Sequence, residues 1–354
     1  MNNVIVAWCA ENETTFERHV PLVFVGKRNQ HLGYSNDISI VFLQGFELLS
    51  QAYKAELQEL GFTLHNANNA YQAYAQRYAQ LDRFGDYEKK CFLRWLVMRD
   101  LFNNEPVIHY DGDIVFNEDP KIIATKVAGT TFVLQGCPAF TVISDSNWFA
   151  QYQEQLDCFV ANIDVYSEQA WQERHGWEVS FKTRWAGSRF RQIITSDQDL
   201  ISHLIHTRQL VQQPVEDVYM RLQDYLLFEN PLLINFYDDC FPYQYSRKNG
   251  VDYFSYARED AQHAVYTKRI LFWHMQSCFN FYLAKYLLRK KLVVPLGRLA
   301  LDLENQTLEG RANKLLKRFL QHDTRLSVYQ YFFAQADFSQ VFSDKIWWKR
   351  GIFR

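Results

Sequence analysis

The chain reads as an α/β protein: a mostly parallel sheet flanked by helices, followed by a helical C-terminal extension. Three observations carry that expectation. From Val4 to Ile143, short apolar runs of strand length alternate with longer stretches of helical spacing. One of those runs, Pro106–Phe116, brings two carboxylates to the place where open α/β sheets bind ligands, beyond the carboxyl ends of strands. After about residue 285 the strand alternation stops and the sequence becomes basic and helical.

In chain order, Val4–Trp8 forms the first expected strand and Asp37–Leu43 the second. Phe46–Leu60 has the spacing of one helix and stops at Gly61. Phe62–Leu64 is a short strand, and the Ala/Gln/Tyr-rich stretch Asn68–Leu81 a helix. Tyr87–Phe102 is a stronger helix, with Cys91, Trp95, Met98 and Phe102 along an apolar stripe. Pro106–Phe116 follows as one strand, then Thr131–Leu134 and Ala139–Ile143 as two more. Residues 145–230 are mainly helix and loop, and Leu232–Asn235 and Arg269–His274 are the last strands. This divides the chain into a domain over 1–285 and a basic, aromatic helical region over 286–354.

Composition excludes several classes. With 48% hydrophobic and 16% aromatic residues, the chain is not a disordered one. It has no apolar run long enough to span a bilayer, and its start lacks the basic and apolar regions of a signal peptide. The six cysteines are scattered without a CxxC pair, which predicts reduced, mostly buried thiols, no zinc site and a cytoplasmic protein. The net charge of −2 hides an asymmetry, because Lys285–Arg354 carries +8 and the remainder −10. Glu309–His322 is amphipathic, and the chain ends in basic residues mixed with Trp347, Trp348 and Phe353. Such a tail suits peripheral attachment to an anionic membrane surface, and equally a helix docked on the core with its charges in water. No nucleic-acid partner is expected, since the body is acidic and carries no recognition motif.

The residues that carry chemistry lie in three places. Asp111 and Asp113 flank Gly112, and on a continuous strand they would point to one face. Two carboxylates so close need a cation or a shared proton, and a hard divalent metal shared with a phosphate is the simplest relief. Gly112 leaves room for close approach to the backbone. On the preceding helix, Lys90 and Arg94 share a face; alone they read as a solvated surface pair with their aliphatic stems packed down, and beside such a metal they would suit a diphosphate. The second place is Thr195–Ile201, where Ser196 or Asp197 can cap a helix with Asp199 in its first turn. The same helix start, Asp197-Gln198-Asp199, can also serve a binding site. The third is His274, at the end of an apolar, aromatic strand. Alone it is an ordinary core histidine, but beside two carboxylates it would bias a metal site from Mg²⁺ towards Mn²⁺.

The order of these motifs resembles the GT-A-fold glycosyltransferases, and most closely the retaining family of glycogenin and the bacterial lipopolysaccharide galactosyltransferases. Arg94 in Phe92-Leu93-Arg94-Trp95, Asp111 and Asp113, Asp197-Gln198-Asp199 and His274 carry the resemblance. It implies a GT-A-like, Rossmann-like domain. It implies that Asp111, Asp113 and His274 hold Mn²⁺ (or Mg²⁺) against the nucleotide diphosphate, with Arg94, Lys90 and Asp111 near the donor. Asp197 and Asp199 would then hold donor-sugar hydroxyls, with Gln198 at the reaction centre. Asn12 in Cys9-Ala10-Glu11-Asn12 would contact the base or ribose. Where the family often has a lysine six residues after its metal histidine, this chain has Asn280. The implied function is transfer of a sugar from a nucleoside diphosphate donor, UDP-linked by the resemblance, to a glycan or lipid-linked acceptor with retention. Two other functions fit parts of the sequence. Asp111-Gly112-Asp113-Ile114-Val115 also matches the nucleophile loop of haloacid-dehalogenase-like phosphatases, with Asp238-Asp239 as a later acidic pair. A sugar-nucleotide-binding protein without turnover is the third reading.

Overall fold

A computed structural model of the chain describes residues 1–134, 138–173, 193–226, 244–257 and 265–275. The predicted strand at 232–235, the boundary at 285, the region 286–354, Cys137, Cys240, Cys278, Asp238, Asp239 and Asn280 lie outside the described residues.

The chain begins with β1 (Asn2–Trp8), then α1 (Glu13–His19), α2 (Leu22–His31), β2 (Ser39–Gln44), α3 (Gln51–Glu59) and β3 (Thr63–Asn66). It continues through α4 (Asn68–Arg77), α5 (Asp86–Leu101), β4 (Val107–Tyr110), β5 (Ile114–Phe116), α6 (Pro120–Val127), β6 (Phe132–Val133) and β7 (Phe140–Ile143). Next come α7 (Asn147–Ala161), α8 (Ile163–Glu173), α9 (Asp197–His206) and α10 (Val215–Arg221). The described residues end with β8 (Tyr225–Leu226), β9 (Gln244–Lys248), β10 (Val251–Ala257), β11 (Val265–Ile270) and β12 (Phe272–His274).

Six strands form one sheet in the order β3-β2-β1-β4-β7-β6. The first four are parallel, and β7 runs antiparallel between β4 and β6. This is the predicted α/β class, with a mostly parallel sheet compatible with a Rossmann-like fold. The central strands are buried on both faces, so their sequences are continuous Val/Ile/Leu runs. Alternation then sorts them into two cores. Ile5, Ala7, Ile40 and Phe42 pack with Phe16, Val25 and Leu57 from α1–α3. Val4, Val6, Val41 and Leu43 pack with Tyr71, Trp95, Trp148 and Leu200 from α4, α5, α7 and α9. The sheet is therefore the middle of three layers. No helix among the described residues is long and apolar enough to cross a membrane.

Several predicted elements are divided. Phe46–Leu60 is not one helix: a 3-10 turn over Phe46–Leu48 ends at extended Leu49, and Ser50 starts α3 by accepting from Tyr53 N at 3.2 Å. A capping serine offers the backbone a competing partner that apolar spacing does not reveal. The α-helix of Asn68–Leu81 ends at Arg77 and passes into a 3-10 helix, Ala79–Phe84.

Pro106–Phe116 is likewise two strands. Tyr110 ends β4, Asp111 N donates to Ala139 O at 2.9 Å, and Ile114 N turns back onto Asp111 O at 3.1 Å. The acid pair is thus held by a turn rather than by strand alternation. β5 leaves the large sheet and pairs antiparallel with β12, Ile114 opposite His274. The room at Gly112 is filled by the protein itself, since a Cβ there would lie 2.7 Å from Val20 Cγ1. Arg269–His274 divides in the same way, β11 joining a four-stranded sheet of order β8-β11-β10-β9 while β12 pairs with β5.

The β9–β10 hairpin turns at Asn249-Gly250, both at positive φ (51° and 77°), as a type I′ turn requires. Of the described cysteines, Cys9 and Cys91 are buried thiols as predicted, whereas Cys158 is an exposed one.

Asn117 fastens the four-stranded sheet to the body. Its buried amide donates to Asp252 O (2.9 Å) and Ile270 O (2.7 Å), and its Oδ1 accepts from Asp252 N (2.9 Å). Beside it, Glu118 Oε2 accepts from Arg269 (2.7 Å) and Tyr225 (2.6 Å). Truncating Asn117 to Ala would leave three buried backbone groups unsatisfied, each worth about 1 kcal/mol or more. Urea unfolding of Asn117→Ala should show a loss of about 2–4 kcal/mol, and a loss below about 1 kcal/mol would contradict this anchoring role.

Candidate metal and ligand site

The site lies beyond the carboxyl ends of β1 and β4. Asp111 follows β4, Asp113 precedes β5, and the β5–β12 pairing carries His274 back to them. Met275 N donates to Asp113 O at 2.9 Å and fixes that approach. His274 Nε2 stands 3.2 Å from Asp113 Oδ1 and 3.8 Å from Asp111 Oδ2. One ligand atom from each of the three lies within 4.8 Å of the others. The histidine is buried at its base while both carboxylates remain partly open to solvent. Two oxygen donors and an imidazole nitrogen, converging and reachable from solvent, can bind a metal ion.

Arg94 connects this cluster to the second acidic motif. Its NH1 donates to Asp111 Oδ1 at 2.8 Å. Its Nε and NH2 reach Asp197 Oδ2 at 3.0 and 2.8 Å, and Trp95 Nε1 donates to the same oxygen at 2.9 Å. Arg94 is only 5% exposed and Asp197 only 3%. Burial pulls the guanidinium's pKa down, but Asp197 and Asp111 outweigh it and keep the charge well established. Burial lifts the Asp197 carboxyl above its ordinary range, against the lowering effect of Arg94 and Trp95.

The sequence placed Arg94 and Lys90 as diphosphate contacts on a shared helix face. The structure buries both and gives each a carboxylate partner. Lys90 is paired with Asp86, and its Nζ lies 5.7 Å from the centre of the Trp8 ring. Every residue of α5 from Lys89 to Met98 is buried, because the helix is packed between the sheet and its neighbouring helices.

The remaining predicted residues are placed as follows. Asn12 is exposed just past β1 and caps α1, accepting from Thr15 N at 2.9 Å. Asp199 is buried and closes the start of α9. Its Oδ2 accepts from Thr195 N (2.9 Å), Thr195 Oγ1 (3.0 Å) and Ser196 Oγ (3.3 Å), while Ser196 accepts from Asp199 N. The helix-cap reading of this segment is therefore realised for Ser196 and Asp199. Gln198, between the two anchored acids, is exposed.

Two residues escaped the sequence reading. His109 sits two positions before Asp111 on β4, fully buried, with Nδ1 3.0 Å from Pro138 O and Nε2 3.4 Å from Arg94 NH1. Burial, and then the neighbouring Arg94, push its pKa down to about 3. The ring is neutral, donates from Nδ1 and offers Nε2 to the guanidinium as an acceptor. Its signal was the strand alternation that puts residues 109 and 111 on one side. Glu88, half-buried in the first turn of α5, is pushed up to about 7 by burial and then by the charges of Asp197 and Asp199, with Arg94 partly offsetting them. In the sequence it reads as an ordinary first-turn acid.

No protein-family model matches this chain, and neither does any curated protein.

Removing one member of a buried ion pair strands the other, at about 3–5 kcal/mol. Arg94→Met should lower the unfolding free energy by about that amount, and a double-mutant cycle with Asp197→Asn should recover part of it. Strict additivity of the two substitutions would show that the Arg94–Asp197 contact is not coupled in solution.

Proposed function

We propose that the chain is a metal-dependent glycosyltransferase of GT-A type, moving a sugar from a nucleoside diphosphate donor, UDP-linked, to a glycan or lipid-linked acceptor with retention. The observation that carries this reading is the convergence of Asp111, Asp113 and His274 at the carboxyl edge of the sheet, tied through Arg94 to the Asp197-Gln198-Asp199 segment. The donor set fits Mn²⁺: two hard carboxylates with one imidazole favour it over Mg²⁺. Asp111, Asp113 and His274 would hold the ion. When bound, it would supply positive charge against the departing diphosphate.

The protein's own residues do the rest. Asp111 gives Oδ1 to Arg94 and turns Oδ2 towards His274, so the guanidinium orients a metal ligand. Neutral His109 supports that arrangement without adding a second positive charge beside Arg94. Asp197 and Asp199 fix the first turn of α9, and exposed Gln198 is the member of the motif that would meet the donor sugar. An oxocarbenium-like transition state at that sugar would be favoured by the surrounding carboxylates. The acceptor class rests on the basic, aromatic C-terminal sequence.

The test is an assay of nucleoside diphosphate release from UDP- and GDP-sugars with Mn²⁺, with Mg²⁺ and with EDTA. Mn²⁺-dependent release, abolished by EDTA and reduced about 100-fold or more in Asp113→Asn, is the expected result. Turnover of p-nitrophenyl phosphate lost in Asp111→Asn, with no nucleotide-sugar cleavage, would instead establish a phosphatase. Metal-dependent nucleotide binding without any turnover would leave a binding protein.

A further inference from the structure

Tyr87 is the one aromatic among the described large apolar side chains that stand exposed, at 61% exposure. It belongs to the first turn of α5. Its ring meets Trp8 edge-to-face, with centroids 5.3 Å apart and planes at 75°. Trp8 is the last residue of β1, half-buried at the carboxyl edge of the sheet, with the Lys90 ammonium near its ring. Arg94, seven residues further along the same face of α5, reaches Asp111 Oδ1 at 2.8 Å, so Tyr87 stands on the side of the helix that meets this acid. An aromatic ring left in water beside a carboxylate–imidazole cluster offers a flat surface to a ring held at that cluster.

The first turn of α5 faces both acidic motifs, and its two central residues divide between them. Tyr87 lies on the side of Asp111 and Asp113. Glu88 lies on the side of Asp197 and Asp199. A nucleoside diphosphate sugar has two rings, one on each side of its diphosphate. With the diphosphate at Asp111–Asp113–His274 and the sugar towards Asp197-Gln198-Asp199, the heterocycle must leave on the other side, along the end of β1.

We propose that Tyr87, backed by Trp8, is the wall on which the heterocycle of the nucleotide stacks. The inference rests on the donor-site reading above and adds to it a binding surface for the base. Every base has a π-face, so this wall contributes affinity and orientation rather than a choice among bases.

Calorimetric titration with Mn²⁺–UDP and Mn²⁺–pyrophosphate separates this inference from the reading beneath it. The two probes share the diphosphate, and only UDP carries a ring. Tyr87→Ala should weaken Mn²⁺–UDP about tenfold, as expected for loss of a single stacking partner, and leave Mn²⁺–pyrophosphate within about twofold. Tyr87→Phe keeps the ring and should bind UDP as the wild type does. An exposed side chain makes both variants compatible with the fold, which unchanged melting temperatures would verify. If Tyr87→Ala weakens both probes equally, or neither, the stacking wall is overturned while the metal–diphosphate site stands. If the wild-type protein binds neither probe, the donor-site reading falls and the wall with it.

Discussion

A guanidinium buried in the body of α5 sets the arrangement of everything around it. Arg94 has lost its water, and a charge in that position is tolerable only if carboxylates and hydrogen bonds replace the lost solvation. Asp197 and Asp111 do so on different nitrogens of the guanidinium, from 103 and 17 residues further along the chain. Each partner is thereby constrained. Asp197 is drawn into the core, where Trp95 supplies a further donor. Asp111 is divided, one oxygen on Arg94 and the other facing His274. The turn after β4 and the start of α9 are thus registered against each other by a single side chain. A substitution that spares the cluster but removes this charge would disturb both motifs together.

The sheet supplies the other half of the constraint. Parallel strands bring successive chain crossings to one edge, and the turn at Asp111-Gly112-Asp113 stands at that edge because β4 stops at Tyr110. β5 is then released to pair with β12, which returns His274 from far along the chain. Val20 fills the space against Gly112, so the turn is closed by packing on one side and open on the side of the cluster. Asn117 and Glu118, just beyond β5, tie the four-stranded sheet to the same segment. The Asp111-Gly112-Asp113 turn and the attachment of the smaller sheet are therefore neighbours on one short stretch of chain.

Much of this is legible in the residues. The apolar runs of β1 and β2 declare strands buried on both faces, and the two cores follow from their alternation. Asp111, Asp113 and His274 are recognisable as a group by their chemistry, although nothing in their spacing shows that they meet. The division of Pro106–Phe116 is hidden because Ile114-Val115-Phe116 is equally apolar whether it extends β4 or pairs with β12. Only the tertiary partner decides. For Lys90 and Arg94, helical spacing gives the common face but not its surroundings, and the middle of α5, Lys89–Met98, is buried on every side. The start of α9 shows that cap and site readings need not compete, since Asp199 closes the helix while leaving Gln198 exposed. The hairpin at Asn249-Gly250 is absent from the predicted elements, because the polar strands beside it lack the apolar alternation by which the others are found.

The most direct test of the account is to locate the ion. Anomalous diffraction at the manganese edge from crystals soaked in Mn²⁺ would place it without reference to any substrate. The account predicts a peak bonded by Asp111, Asp113 and His274, with Arg94 still on Asp197 and absent from the coordination shell. No peak at these residues with manganese in excess, or a peak held by other side chains, would contradict it.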